Sequence, residues 1–149
     1  MKRIVLAGLV LSVLLPASAT DKPMKLSDMP PIVQETIRQQ TKSASIRRTL
    51  TEIENGETFY ECESLQNGRT RDFLVDKTGA VVEVEDQVSL KEVPPPVKIA
   101  VEHAASGGKI TKLERVKRGN TVTYEAAVVK NGTKTGMELR PDGSPTKKH

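Results

Sequence analysis

The sequence predicts an α+β fold, a tandem duplication of a helix packed on a four-stranded antiparallel meander sheet. Three observations predict it. Shifting the chain by 64 residues superposes its two halves without a gap and matches ten residues in about 60 positions, where composition alone would match about three or four. In each half a proline pair opens an apolar stripe of helical spacing. Asn-Gly and related turn pairs then separate alternating segments, the strongest short-range hairpin signal.

The matched residues fall where geometry is decided. Leu26, Pro30, Pro31, Val33 and Ile46 meet Leu90, Pro94, Pro95, Val97 and Ile110, and Tyr60, Glu61, Asn67, Gly68 and Gly79 meet Tyr124, Glu125, Asn131, Gly132 and Gly143. Leu26–Pro31 is a helix entry, because prolines fit the first turn, whose amides have no helical partner. Ile32, Val33, Thr36, Ile37 and Gln40 then share one face, as do Val97, Ala100, Val101 and Ala104 ahead of the stop at Gly107-Gly108. Strands are predicted over 45–54, 58–66, 69–76 and 80–85, with turns at Asn55-Gly56, Asn67-Gly68 and Gly79. The second half repeats the turns at Gly119-Asn120, Asn131-Gly132 and Asp142-Gly143, but Pro145 and the tail cut its last strand short.

Ahead of these units lies an address. Lys2 and Arg3 precede an apolar run from Ile4 to Leu15, followed by Ala17-Ser18-Ala19. That is the charge, core and A-x-A cleavage pattern of an export signal, and the run is short of the ~20 residues of a membrane span. The organisation read from sequence is therefore a signal peptide at 1–19, a linker at 20–25, a first repeat at 26–86, and a second repeat with a short tail at 87–149. The exported chain is periplasmic or secreted, with no stable membrane insertion after cleavage. It keeps 41 apolar residues among 130, so its core must be thin.

The entry Leu-x-x-Met/Val-Pro-Pro, the segments Phe59-Tyr60-Glu61 and Thr123-Tyr124-Glu125, and the turns at 76–79 and 141–143 together resemble the PepSY-like family. That family is described as similar to β-lactamase inhibitor proteins, which are tandem helix-on-sheet units. The resemblance implies a protein-binding or protease-associated role in the cell envelope, and it supplies no catalytic residue. The chain departs from the family pattern at Cys62 and Ser64, where apolar residues are usual, and in its truncated last strand.

Composition excludes several functions. One cysteine rules out an intramolecular disulfide framework and multi-thiolate zinc sites, and two histidines leave little for a His-based centre. No Ser–His or Cys–His pairing and no Gly-rich phosphate loop is in view. Cys62 shares a face with Tyr60 and Ser64 and stands where the other half has Ala126, which reads as a small core residue. Flanking Glu61 and Glu63 would oppose thiolate formation. Glu61 and Glu125 form a recurring carboxylate pair, but related copies hold such residues apart, and nothing gathers around them. His103 replaces Gln39 of the first half and reads as exposed. The chain is accordingly expected to be no enzyme, with no cofactor and no metal.

Charge is divided between the halves. Residues 26–86 carry seven Lys and Arg against 12 Asp and Glu, whereas residues 90–149 carry 12 against six. Halves packed side by side would attract one another, or two molecules would self-associate head to tail. The basic run Lys109, Lys112, Arg115, Lys117 and Arg118 is the candidate ligand patch. On a strand it splits, with Lys109, Arg115 and Lys117 on one face and Lys112 and Arg118 on the other. It lacks the aromatics of a nucleic-acid reader. Two functions follow: a binding module that engages or inhibits an envelope protease or other hydrolase, or an envelope sensor or structural protein that holds a small anionic ligand, lipid or polymer on the basic repeat.

Overall fold

The computed structural model describes residues 22–146, so the export signal at 1–19 lies outside the described residues. Strand β1 (Lys22–Pro23) and a single 3-10 turn lead into helix α1 (Pro31–Gln40), followed by β2 (Ser45–Glu54), β3 (Glu57–Gln66), β4 (Arg69–Asp76) and β5 (Val81–Gln87). Helix α2 (Pro95–Ala104) then precedes β6 (Lys109–Arg118), β7 (Thr121–Lys130) and β8 (Thr133–Leu139). Both helices begin behind a proline in extended conformation, Pro30 and Pro94. Three hairpins turn on asparagines of positive φ, Asn55, Asn67 and Asn131, each followed by a glycine of positive φ, the backbone that tight antiparallel turns require. No helix among the described residues is long and apolar enough to cross a membrane.

The expected pair of four-stranded meanders, each under its own helix, does not form. The strands make one eight-stranded antiparallel sheet in chain order, β1 to β8, with two helices against it, and the class is sheet-dominant. The reason lies at β5 and β6. Left apart, each would be a sheet edge with unpaired amides and carbonyls. Instead they pair in a register that sets Glu83 against Arg118 and Asp86 against Arg115, so the opposite charges of the halves meet at the junction. At the far end the last strand is reduced to a bridge between Leu139 and Pro145. At the near end β1, in the segment read as a linker, adds a short strand beside Leu50 and Thr51.

Two apolar clusters lie beneath the helices on one face of the sheet. Val33 and Ile37 of α1 are fully buried over Cys62, Phe73 and Val75, and Val97 and Val101 of α2 close over Leu113, Tyr124, Ala126 and Leu139. Each buried aliphatic of this kind contributes about 1.5–3 kcal/mol. Close approach fixes the helix starts against the turns. A side chain at Gly79 would strike Ile32 at 2.6 Å, and one at Gly143 would strike the Pro96 carbonyl at 2.6 Å.

Candidate functional site

Strand alternation assigns the residues between these core positions to the opposite face, which carries no helix. Cross-strand register lines them up in rows. One row runs Glu138, Glu125, Glu114, Gln87 from β8 to β5. The next runs Thr123, Val116, Glu85, Asp72, Glu63, Arg48 from β7 to β2. A third runs Arg118, Glu83, Leu74, Glu61, Leu50 from β6 to β2. Counting these three rows and Lys112 beside the first, eight carboxylates stand with three cations.

Two cations of β6 on this face, Lys112 and Arg118, are engaged by carboxylates. Lys112 Nζ lies 2.8 Å from Glu114 Oε2, 3.3 Å from Glu125 Oε2 and 3.6 Å from Glu85 Oε2. Arg118 pairs with Glu83 and reaches Glu138 at 2.7 Å and Glu125 at 3.7 Å, while Thr123 Oγ1 donates to Glu138 at 2.6 Å. Beneath them Val116 is fully buried although no helix covers it. The long stems of Lys112 and Arg118 lie in the two flanking positions of the same strand, as amphipathic side chains do over apolar surface.

Burial raises the acids at the middle of this face. It pushes Glu83 up to about 7 against the pull of Arg118, and Glu85 up to about 7 against the pull of Lys112, with Glu125 and Glu114 adding repulsion at Glu85. Burial also raises Asp72, opposed by a hydrogen bond from the Ser64 amide and reinforced by Glu63. Burial works against the charge of Lys112, but the bond to Glu114 and the attraction of Glu85 and Glu125 hold the ammonium above its ordinary value. Oxygens of Glu85, Glu114 and Glu125 lie within 4.8 Å of one another, a spacing that would suit a metal ion. A protein cation, the Lys112 ammonium, already sits on all three.

The candidate patch on β6 is not brought together as one surface. Lys112 and Arg118 face the bare side, and Arg115 and Lys117 face the helix side, where Arg115 pairs with Asp86 at 3.0 Å. A bulge between Ile110 and Lys112 reverses the alternation and turns Lys109 to the bare side with Lys112, which simple alternation misses. Glu61 and Glu125 share the bare face but stand on β3 and β7, about 19 Å apart across the sheet and two rows apart along it, too far for one acid–base pair. Cys62 is wholly buried, and burial followed by Asp72, Glu61 and Glu63 pushes its thiol up to about 12. Ser64 is buried beside it, with its hydroxyl donating to the Arg71 carbonyl at 2.5 Å. His103 is exposed on α2.

Both outer edges of the sheet are partly capped by the chain itself. The Met24 amide donates to the Thr49 carbonyl at 3.1 Å along β2, and the Thr146 amide donates to the Glu138 carbonyl at 2.9 Å along β8. The broad accessible element is thus the bare face. Sequence reasoning missed Glu83, Glu85, Glu114, Asp72 and Glu138 as its constituents. The signal available was the unbroken alternation of acids in Val-Glu-Val-Glu and Tyr-Glu-Cys-Glu.

No protein-family model matches the sequence, and no curated protein matches it either. The PepSY-like resemblance therefore rests on its motifs. Solved structures do match. A candidate periplasmic protein of Bacteroides eggerthii superposes with a TM-score of 0.66 at 18% identity, over 80% of this chain and 86% of that one. A DUF2874 family protein of Bacteroides uniformis gives 0.64 at 20% identity, over 79% and 86% of the two chains. A BLIP-like protein of Bacteroides fragilis gives 0.58 at 15% identity, over 80% and 84%. At these identities the likeness speaks for architecture, and the chain has a BLIP-like fold.

Proposed function

We propose that this chain is a non-enzymatic binding module of the bacterial periplasm that docks a protein through the bare face of its sheet. The observation that carries the reading is the one-sided sheet: helices cover one face, the edges are partly capped, and the other face stands open across its strands. The eight carboxylates of its three central rows, against three cations among them, select a partner surface rich in lysine and arginine. Half-buried Leu74 beside Glu61 and Glu83 offers an apolar contact within the charge. The periplasmic neighbour and the export signal support the compartment. The BLIP-like neighbour supports an envelope protease or other hydrolase as the partner, held or inhibited. Against the reading in which the basic second repeat captures an anion as one patch, Lys112 and Arg118 already lie on carboxylates of their own face.

The test is a pull-down from envelope extract of the host with tagged chain from Thr20 to His149, in parallel with Asp72→Lys. A basic envelope protein retained by the parent and released by Asp72→Lys is the expected result. Capture that Asp72→Lys leaves unchanged, or capture of anionic lipid or polymer alone, removes the reading.

A further inference from the structure

On the helix side of the junction a second feature has opposite charge. One row there reads Arg71, Asp86, Arg115 across β4, β5 and β6. Asp86 is shared: Arg71 Nη1 takes Oδ1 at 2.6 Å, and Arg115 Nη2 takes Oδ2 at 3.0 Å. Neither guanidinium is forked on the carboxylate. Each guanidinium has five N–H donors; beyond Asp86, Arg71 makes only a 3.5 Å contact with Gln40 among the described residues. Two positive charges thus converge on one negative charge, with most of their donors still available.

These residues line a cleft of about 450 Å³. One wall is clamped: Arg69 Nη1 donates to both oxygens of Glu92 at 2.7 and 2.9 Å, and the Ser89 amide and hydroxyl donate to Glu92 Oε2 at 2.8 and 2.7 Å. The Arg69 and Ser89 bonds hold the Glu92 carboxyl down to about 2, so this pair is charge-neutral at any ordinary pH and serves as structure. Gln87 accepts the Thr70 amide at 3.0 Å through its oxygen, which leaves its NH₂ group as a further donor at the cleft. The remaining excess is the Arg71–Arg115 pair, one guanidinium from each half of the chain.

We infer that this cleft is a binding site for a small oxyanion, a carboxylate or phosphate group held between Arg71 and Arg115. Planar guanidiniums suit both groups, since each can offer two parallel N–H bonds. Asp86 positions the two arginines and competes with the ligand for them. Gln87, at the end of the first bare-face row, borders both surfaces, but Arg71, Asp86 and Arg115 lie on the helix side.

Competition by Asp86 makes the inference testable in both directions. The mature protein would be titrated with citrate and, separately, with inorganic phosphate, at constant ionic strength set by chloride, and followed by amide chemical shifts and by thermal unfolding. Saturable binding with shifts centred on β4, β5 and β6 is expected, weakened at least tenfold by Arg115→Gln and tightened several-fold by Asp86→Asn. Arg115 is half exposed, so its variant keeps the core intact. A response to citrate alone assigns a carboxylate ligand, and a response to phosphate alone assigns a phosphorylated one. Binding of neither, or binding that both substitutions leave unchanged, overturns the site.

Discussion

Leu113 and Glu114 are adjacent on β6 and almost equally buried, at 7% and 8% exposure, yet they close on opposite faces by opposite means. Leu113 joins Val97, Val101 and Tyr124 beneath α2. Glu114 joins Glu85 and Glu125 around the ammonium of Lys112. The covered face gains stability in proportion to apolar area. The bare face gains little, because desolvating charges offsets most of what their pairing returns. A surface that contributes so little to folding and carries so much charge fits a surface kept for a partner.

Phe73→Ala on the covered face should have the largest effect on stability. Phe73 is 2% exposed beneath α1, and its loss should cost about 3–5 kcal/mol in urea unfolding, with little dependence on pH or salt. Lys112→Met on the bare face should cost less, on the order of 1–3 kcal/mol at pH 8, because Lys112 remains partly exposed. That cost should shrink toward pH 5 as Glu85 takes up a proton. A pH-independent loss would mean that Lys112 acts through packing.

Glu85→Gln should move stability the other way. The Glu85 carboxyl is raised from 4.5 to about 7 by burial and by its carboxylate neighbours, so the fold favours the protonated form. Its contribution is fully present below pH 4.5 and is lost as pH rises through about 7. Glutamine mimics the protonated acid, so the variant should exceed the parent by on the order of 1 kcal/mol at pH 8 and match it at pH 4. The smallest signal is chemical. Cys62 lies in the covered core with its thiol pushed up to about 12, so a thiol reagent should modify it only at the rate of unfolding, and rapid labelling of folded protein would break the comparison.

What the sequence made legible was local. Prolines at 30–31 and 94–95 mark the helix starts, and Asn-Gly pairs mark the hairpins, because each is dictated by its own backbone geometry. The single sheet was not legible, since β5 and β6 are separated by the whole of α2 and their pairing is decided by register and charge at a distance. The opposite charges of the halves hinted at it. The site was less legible still. Lys112 reads as part of a basic run, and only the fold reveals that three glutamates from three strands surround it. The face of Lys109 depends on a bulge that no residue type announces.

Docking through the bare face can be read directly in the cell. A photo-crosslinking residue placed at Leu74, in the middle of that face, would be compared in living cells with one at Ile99, 66% exposed on α2. A discrete crosslink from Leu74 to a basic envelope protein, lost when Asp72→Lys is added, and none from Ile99, is the result expected. Crosslinks from Ile99 alone, or a Leu74 product indifferent to Asp72→Lys, would contradict it.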